Sequence, residues 1–157
     1  MLTEFDLTIL YTQLVVHHAE LHLPGLLWDD DHVDQGFAWS DGIVSFGVPD
    51  HDGQCLLRVN VSDELKLDAG AEWAVQVPFE VSALLKIGTV TNMRDVFVPK
   101  GLYILVFQAL PGSAMPGAGY TYVLWLTFIK SAEPSFEVLK QGRLATDKVL
   151  RMDAQRT

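Results

Sequence analysis

Glycine, proline and aspartate cut this chain into short apolar runs, and that punctuation admits little other than β-structure. The run Phe37-Ala38-Trp39 meets a Ser40-Asp41-Gly42 turn and resumes as Ile43-Val44-Ser45-Phe46-Gly47-Val48. Asp-Gly between two apolar runs is among the strongest short-range hairpin signals, because both turn residues tolerate positive φ. Pro49-Asp50-His51-Asp52-Gly53 reads as the next turn. Further strands are expected at Gln54 to Val61, Trp73 to Val81, Ile87 to Thr91, Asp95 to Val98, Leu102 to Phe107 and Tyr120 to Ile129. In the N-terminal region Phe5, Leu7, Ile9 and Tyr11 share one face of a strand, and a polar, Pro-Gly stretch from His17 to Gly25 breaks it. Pro78 cannot donate to a ladder, so it marks an edge or a bulge. Roughly eight to ten short strands at this spacing make an all-β, antiparallel sandwich, with jelly-roll and immunoglobulin-like topologies both open.

Two departures from strand are expected. Asp29-Asp30-Asp31-His32-Val33-Asp34-Gln35-Gly36 reads as one helical turn: aspartates suit its positive N-terminal end and Gly36 can stop it. Thr146 to Met152 reads as a short C-terminal helix inside a basic extension, with residues 1–131 forming the sandwich and 132–157 packed on it or trailing from it.

At 157 residues the chain is one domain, long enough to bury a core without staples. Cys55 is the single cysteine, so no intramolecular disulfide exists; in the run Cys55-Leu56-Leu57 it reads as a small buried hydrophobe. Absence of a basic leader at Met1 to Asp6, and of any apolar run near the ~20 residues of a membrane helix, reads as a cytoplasmic protein with no membrane span. Charge is uneven. Residues 1–63 hold eleven Asp or Glu against Arg58 alone, a balance of −10, while residues 64–157 hold nine against ten, a balance of +1. Such a first half opposes direct binding to nucleic acid and favours a basic partner with salt-sensitive association; solubility alone is the plainer reading of the same charge.

No catalytic residue set emerges. There is no Gly-x-Ser-x-Gly element, Ser45 fits a packing or ladder position, and the loop Gly112 to Gly119 lacks the Gly-Lys-Ser/Thr ending of a phosphate loop. Asp30, His32 and Asp34 have the stride of a calcium loop, but Gln35 occupies the sixth position where glycine is needed and Asp41 the twelfth. His18 and His22 are four apart without the acidic residue of a His-Glu-x-x-His helix, so His17, His18 and His22 read as exposed loop residues. No metal or cofactor is called for. The acidic cluster stays open between a helix cap and a contact surface. Trp28, Phe37 and Trp39 bracket it, as core or as anchors beside charge.

The segment from Trp28 through Asp29-Asp30-Asp31-His32-Val33-Asp34-Gln35-Gly36-Phe37-Ala38-Trp39-Ser40-Asp41-Gly42 to Phe46 resembles a signature of the competence protein J family. Val77-Pro78-Phe79-Glu80-Val81 and Val98-Pro99-Lys100-Gly101-Leu102-Tyr103-Ile104-Leu105 agree in order, and the likeness runs over about Phe5 to Ile129. The basic tail lies beyond it. The resemblance implies a bacterial, non-enzymatic inhibitor or immunity-type protein that blocks a nuclease with a basic DNA-binding cleft. Mimicry of DNA by carboxylates then falls to Asp29, Asp30, Asp31, Asp34 and Asp41, with Trp28 and Trp39 as anchors. A small-ligand or carbohydrate-binding sandwich is the alternative, and a metal-dependent enzyme built on the His and Asp clusters a third.

Overall fold

A computed structural model of the chain describes residues 3–8, 13–21, 26–48, 54–89, 92–142, 144 and 152–154. Its elements are β1 (Thr3–Leu7), β2 (Gln13–His18), α1 (Asp30–Gln35), β3 (Phe37–Ser40), β4 (Ile43–Gly47), β5 (Cys55–Ser62), β6 (Trp73–Val81), β7 (Leu85–Thr89), β8 (Asn92–Val96), β9 (Gly101–Pro111), a 3-10 turn (Gly112–Ala114), β10 (Tyr122–Lys130) and β11 (Glu137–Lys140). They form a six-stranded sheet, β1-β5-β10-β9-β6-β11, and a five-stranded sheet, β3-β4-β2-β7-β8. Every pairing is antiparallel except one: β10 runs parallel to β5 at the middle of the larger sheet.

Period-two patterning builds the core. On β6, Trp73, Val75, Val77, Phe79 and Val81 face inward, and β9 answers with Tyr103, Leu105, Phe107 and Ala109. Phe46 of the smaller sheet stacks on Phe107 of the larger, centroids 4.8 Å apart. Along one seam Phe136 stacks against Phe37, and β11 pairs with Ala74 to Gln76 of β6. Leu144 also packs into the core, so residues beyond 131 contribute to the sandwich. Pro78 lies past the stretch of β6 that β11 covers, where its missing N–H costs no ladder bond.

The structure corrects several expectations. The apolar triplet Leu14-Val15-Val16 belongs to β2, so the chain is still in a strand at His17 and His18, where a polar loop is expected. His17 is buried and His18 half-buried, neither an exposed loop residue. Leu14 and Val16 face the core while Val15 packs on the opposite side with Leu26, Ala38 and Ile43, so burial on both faces hides the alternation. Residues 9–12, His22, the turn at 49–53 and residues 146–151 of the expected C-terminal helix lie outside the described residues. No described helix is long and apolar enough to cross a membrane.

Candidate functional site

α1 is fixed at both ends. Asp29 is its N-cap and accepts from the backbone N–H groups of Asp31 (2.9 Å) and His32 (3.2 Å). In return the Asp29 N–H donates to His32 Nδ1 at 3.0 Å, which completes a capping box with histidine in the place usual for Glu or Gln. Gly36 ends the helix in the left-handed region, φ 86°, and its N–H bonds the His32 carbonyl. Its own carbonyl accepts from the Gly47 N–H at 2.8 Å, tying α1 to β4.

His32 is the pivot. Only 2 % of it is exposed. Because Nδ1 accepts the Asp29 N–H, the ring proton sits on Nε2, which donates to the Asp153 carbonyl at 2.8 Å. In that tautomer the 3.3 Å approach of Asp29 Oδ1 to Nδ1 brings together two acceptors and is not an ion pair. The contact carries the C-terminal residues Met152–Ala154 onto the helix, and Ala154 packs with Trp28 against the Val15, Leu26, Ala38 and Ile43 cluster.

The structure therefore gathers Asp29, Asp30, Asp31 and Asp34 on one capped turn and adds Asp153, 121 positions away from His32. Asp30 and Asp153 are exposed, the Asp29 side chain is about half exposed, and Asp31 and Asp34 are half-buried. Asp29, Asp30 and Asp31 complement the helix dipole, whereas Asp34 occupies the last turn, where a carboxylate is disfavoured. The cap and the dipole thus account for Asp29, Asp30 and Asp31.

Asp41 is elsewhere. It lies exposed in the β3–β4 turn, a strand length of about 13 Å from α1 at ~3.3 Å per residue. Its neighbour Gly42 has φ 79° and passes close to the His18 ring. His18 Nε2 donates to the Glu80 carbonyl at 2.7 Å, and its Nδ1 lies 3.9 Å from the Glu20 carboxylate. Next to it, His17 Nδ1 donates to the His18 carbonyl, and burial pulls the His17 pKa below its ordinary value.

Both tryptophans of the expected anchor set are half-buried. Trp28 lies edge-on to His32, and its buried Nε1 has no acceptor among the described residues. Trp39 donates from Nε1 to the Pro78 carbonyl at 2.7 Å and meets Phe136 edge-on. Trp28 packs against the Val15, Leu26, Ala38 and Ile43 cluster, whereas Trp39 packs against the inter-sheet core with Phe136. Cys55 is buried in the core and its thiol is pushed up to about 11 by desolvation, which suits packing and not nucleophilic attack. Among the described residues no group of three or more His, Cys, Asp or Glu is placed to hold a metal.

Sequence reasoning overlooks three features here. His32 was readable, because a side chain three residues after an Asp N-cap is where a capping box closes. Phe97, 74 % exposed, was also readable: Val96 and Val98 flank it and are buried, so alternation turns it outward. Asp153 left no local signal.

A family model described as Competence protein J (ComJ) matches residues 6–129. The DNA-entry nuclease inhibitor of Bacillus subtilis (strain 168) is 29% identical over 122 residues, covering 76% of this chain and 90% of that protein. The crystal structure of ComJ, inhibitor of the DNA degrading activity of NucA, from Bacillus subtilis, is similar with a TM-score of 0.65 at 24% identity, over 81% of this chain and 96% of that one. A structure described as crocagin biosynthetic gene J matches with a TM-score of 0.45 at 17% identity, over 80% and 94%.

Proposed function

Because the chain belongs to the competence protein J family, we propose that it is a non-enzymatic inhibitor of a DNA-degrading nuclease and presents the aspartates of α1 to the enzyme's basic DNA-binding cleft. The name of the Bacillus subtilis relative supports the nuclease as partner. One observation supports the surface: a six-residue helix, capped at both ends and bonded to β4, carries three aspartates and an aspartate N-cap, with Asp153 beside them. A nuclease that grips phosphates offers cationic side chains. Carboxylates on a rigid support meet them without the ordering cost of a mobile chain, and opposite charge speeds encounter. Asp41 and Glu20 would reach the same cleft only if it runs along β3.

Mixing the purified protein with a DNA-degrading nuclease of its own organism tests the reading. Cleavage is expected to stop near equimolar inhibitor. Asp30→Lys is expected to slow association several-fold at low salt, with the difference shrinking as salt rises. Undiminished cleavage at excess inhibitor and low salt removes the proposal. Normal inhibition with an unchanged association rate for Asp30→Lys moves the contact to another face.

A further inference from the structure

We propose that the outer face of the larger sheet carries a second site, independent of the acidic turn, that takes one uncharged sugar ring. A groove of about 270 Å³ opens there, lined by Asn60, Val61, Ser62, Glu64, Lys66, Trp125 and Thr127. That is just under the roughly 300–1,000 Å³ of clefts for drug-sized ligands, so it has room for a single ring. The floor comes from the parallel pair of strands, where Thr127 lies directly across from Asn60 and Trp125 from Arg58. The Arg58 guanidinium stacks 5.5 Å from the centre of the Trp125 ring, and Glu4 and Met115 hold it there.

The wall is built as firmly. Gln108 is buried beneath the 63–70 loop, accepting from the Asp68 N–H at 2.8 Å and donating to the Lys66 carbonyl at 3.2 Å. Ser62 pins the start of that loop by bonding both the N–H and the carbonyl of Glu64.

Charge selects the ligand class. In a protein of net charge −9 the charged lining residues of the groove, Lys66 and Glu64, pair at 3.1 Å, and the Arg58 guanidinium beside Trp125 is paired with Glu4. An anionic ligand finds no uncompensated cation there. An indole beside an amide and a hydroxyl suits a ring with an apolar face and a polar edge, which describes a neutral pyranose.

The test is a titration of the full ¹⁵N-labelled chain with three neutral probes, methyl β-glucopyranoside, methyl β-galactopyranoside and N-acetylglucosamine, followed by indole N–H resonances. Trp125 Nε1 is shielded and has no acceptor among the described residues, so its signal reports on the ring; Trp125→Phe assigns it. At least one probe is expected to shift this signal saturably, with Kd on the order of millimolar for one ring on one aromatic face, while the other three indoles stay still. Asn60→Leu and Thr127→Val, which leave Trp125 in place, are expected to weaken binding several-fold and to leave nuclease inhibition intact. No saturable shift with any of the three probes overturns the proposal. So does equal affinity in both variants, or tighter binding of glucose 6-phosphate than of the neutral sugars.

Discussion

At one end of β3 lie the aspartates of α1; at the other lies Asp41 with Glu20 and Glu80. A histidine stands behind each group. His32 and His18 both donate from Nε2 to a backbone carbonyl distant in sequence, Asp153 and Glu80 respectively. They differ at the second nitrogen. His32 Nδ1 is taken by the Asp29 N–H inside the capping box, and the ring is buried. His18 Nδ1 points toward the Glu20 carboxylate at 3.9 Å, beyond hydrogen-bond reach. The same residue type thus makes a closed joint at one end and a looser one at the other. A patch meant to meet a partner without rearranging gains from the closed joint.

The sharpest way to break this contrast is to remove each ring. His32→Ala leaves a cavity and strands two backbone groups, so a loss of about 3 kcal/mol is expected in urea denaturation. His18→Ala gives up one hydrogen bond and an edge contact with Phe79, for about 1–2 kcal/mol. Equal losses would dissolve the distinction.

Gly36→Ala comes next, at about 1–2 kcal/mol in the same assay. An alanine there is strained at φ 86°, and its Cβ would come within 2.8 Å of Leu144. A pH series separates the ends more gently. Burial keeps the folded pKa of His17 below its ordinary 6.5, so the unfolded chain takes the proton first. The stability tied to this group is complete above about 6.5 and drains away as pH falls through the lowered folded value. Stability in urea denaturation should therefore fall from pH 7.5 to 5.5, and His17→Leu should flatten that response. The smallest effect on stability belongs to Asp30→Lys, about 0.5–1 kcal/mol for reversing an exposed charge in the first helical turn, although its effect on nuclease association is the one of interest. A large destabilisation would show that Asp30 serves the helix and not a partner.

Local chemistry made much of this legible in the sequence. The Asp41-Gly42 hairpin pairs Ser40 with Ile43 as the turn requires, β6 spans Trp73–Val81 as expected, and the helix between an Asp29 cap and a Gly36 stop is Asp30–Gln35. What escaped depends on contacts distant in the chain. The aspartates were visible as a run, yet their division between α1 and the β3–β4 turn follows from the length of β3. Trp28 and Trp39 were visible as aromatics near charge, but which surface each indole covers is decided by Phe136, Pro78 and Ala154. The Trp125 groove has no motif at all, because its floor joins residues of β5 and β10.

That β5–β10 junction also governs how the protein comes into being. Its partners are separated by all of β6 to β9, so the middle of the larger sheet cannot close until the chain has emerged past Lys130. Until then the ribosome holds an N-terminal half with an unsatisfied strand flank and much apolar surface, the condition in which nascent chains aggregate or recruit chaperones. Non-local pairing of this kind forms more slowly than a hairpin, and in this sheet it falls at the one place where two strands run the same way.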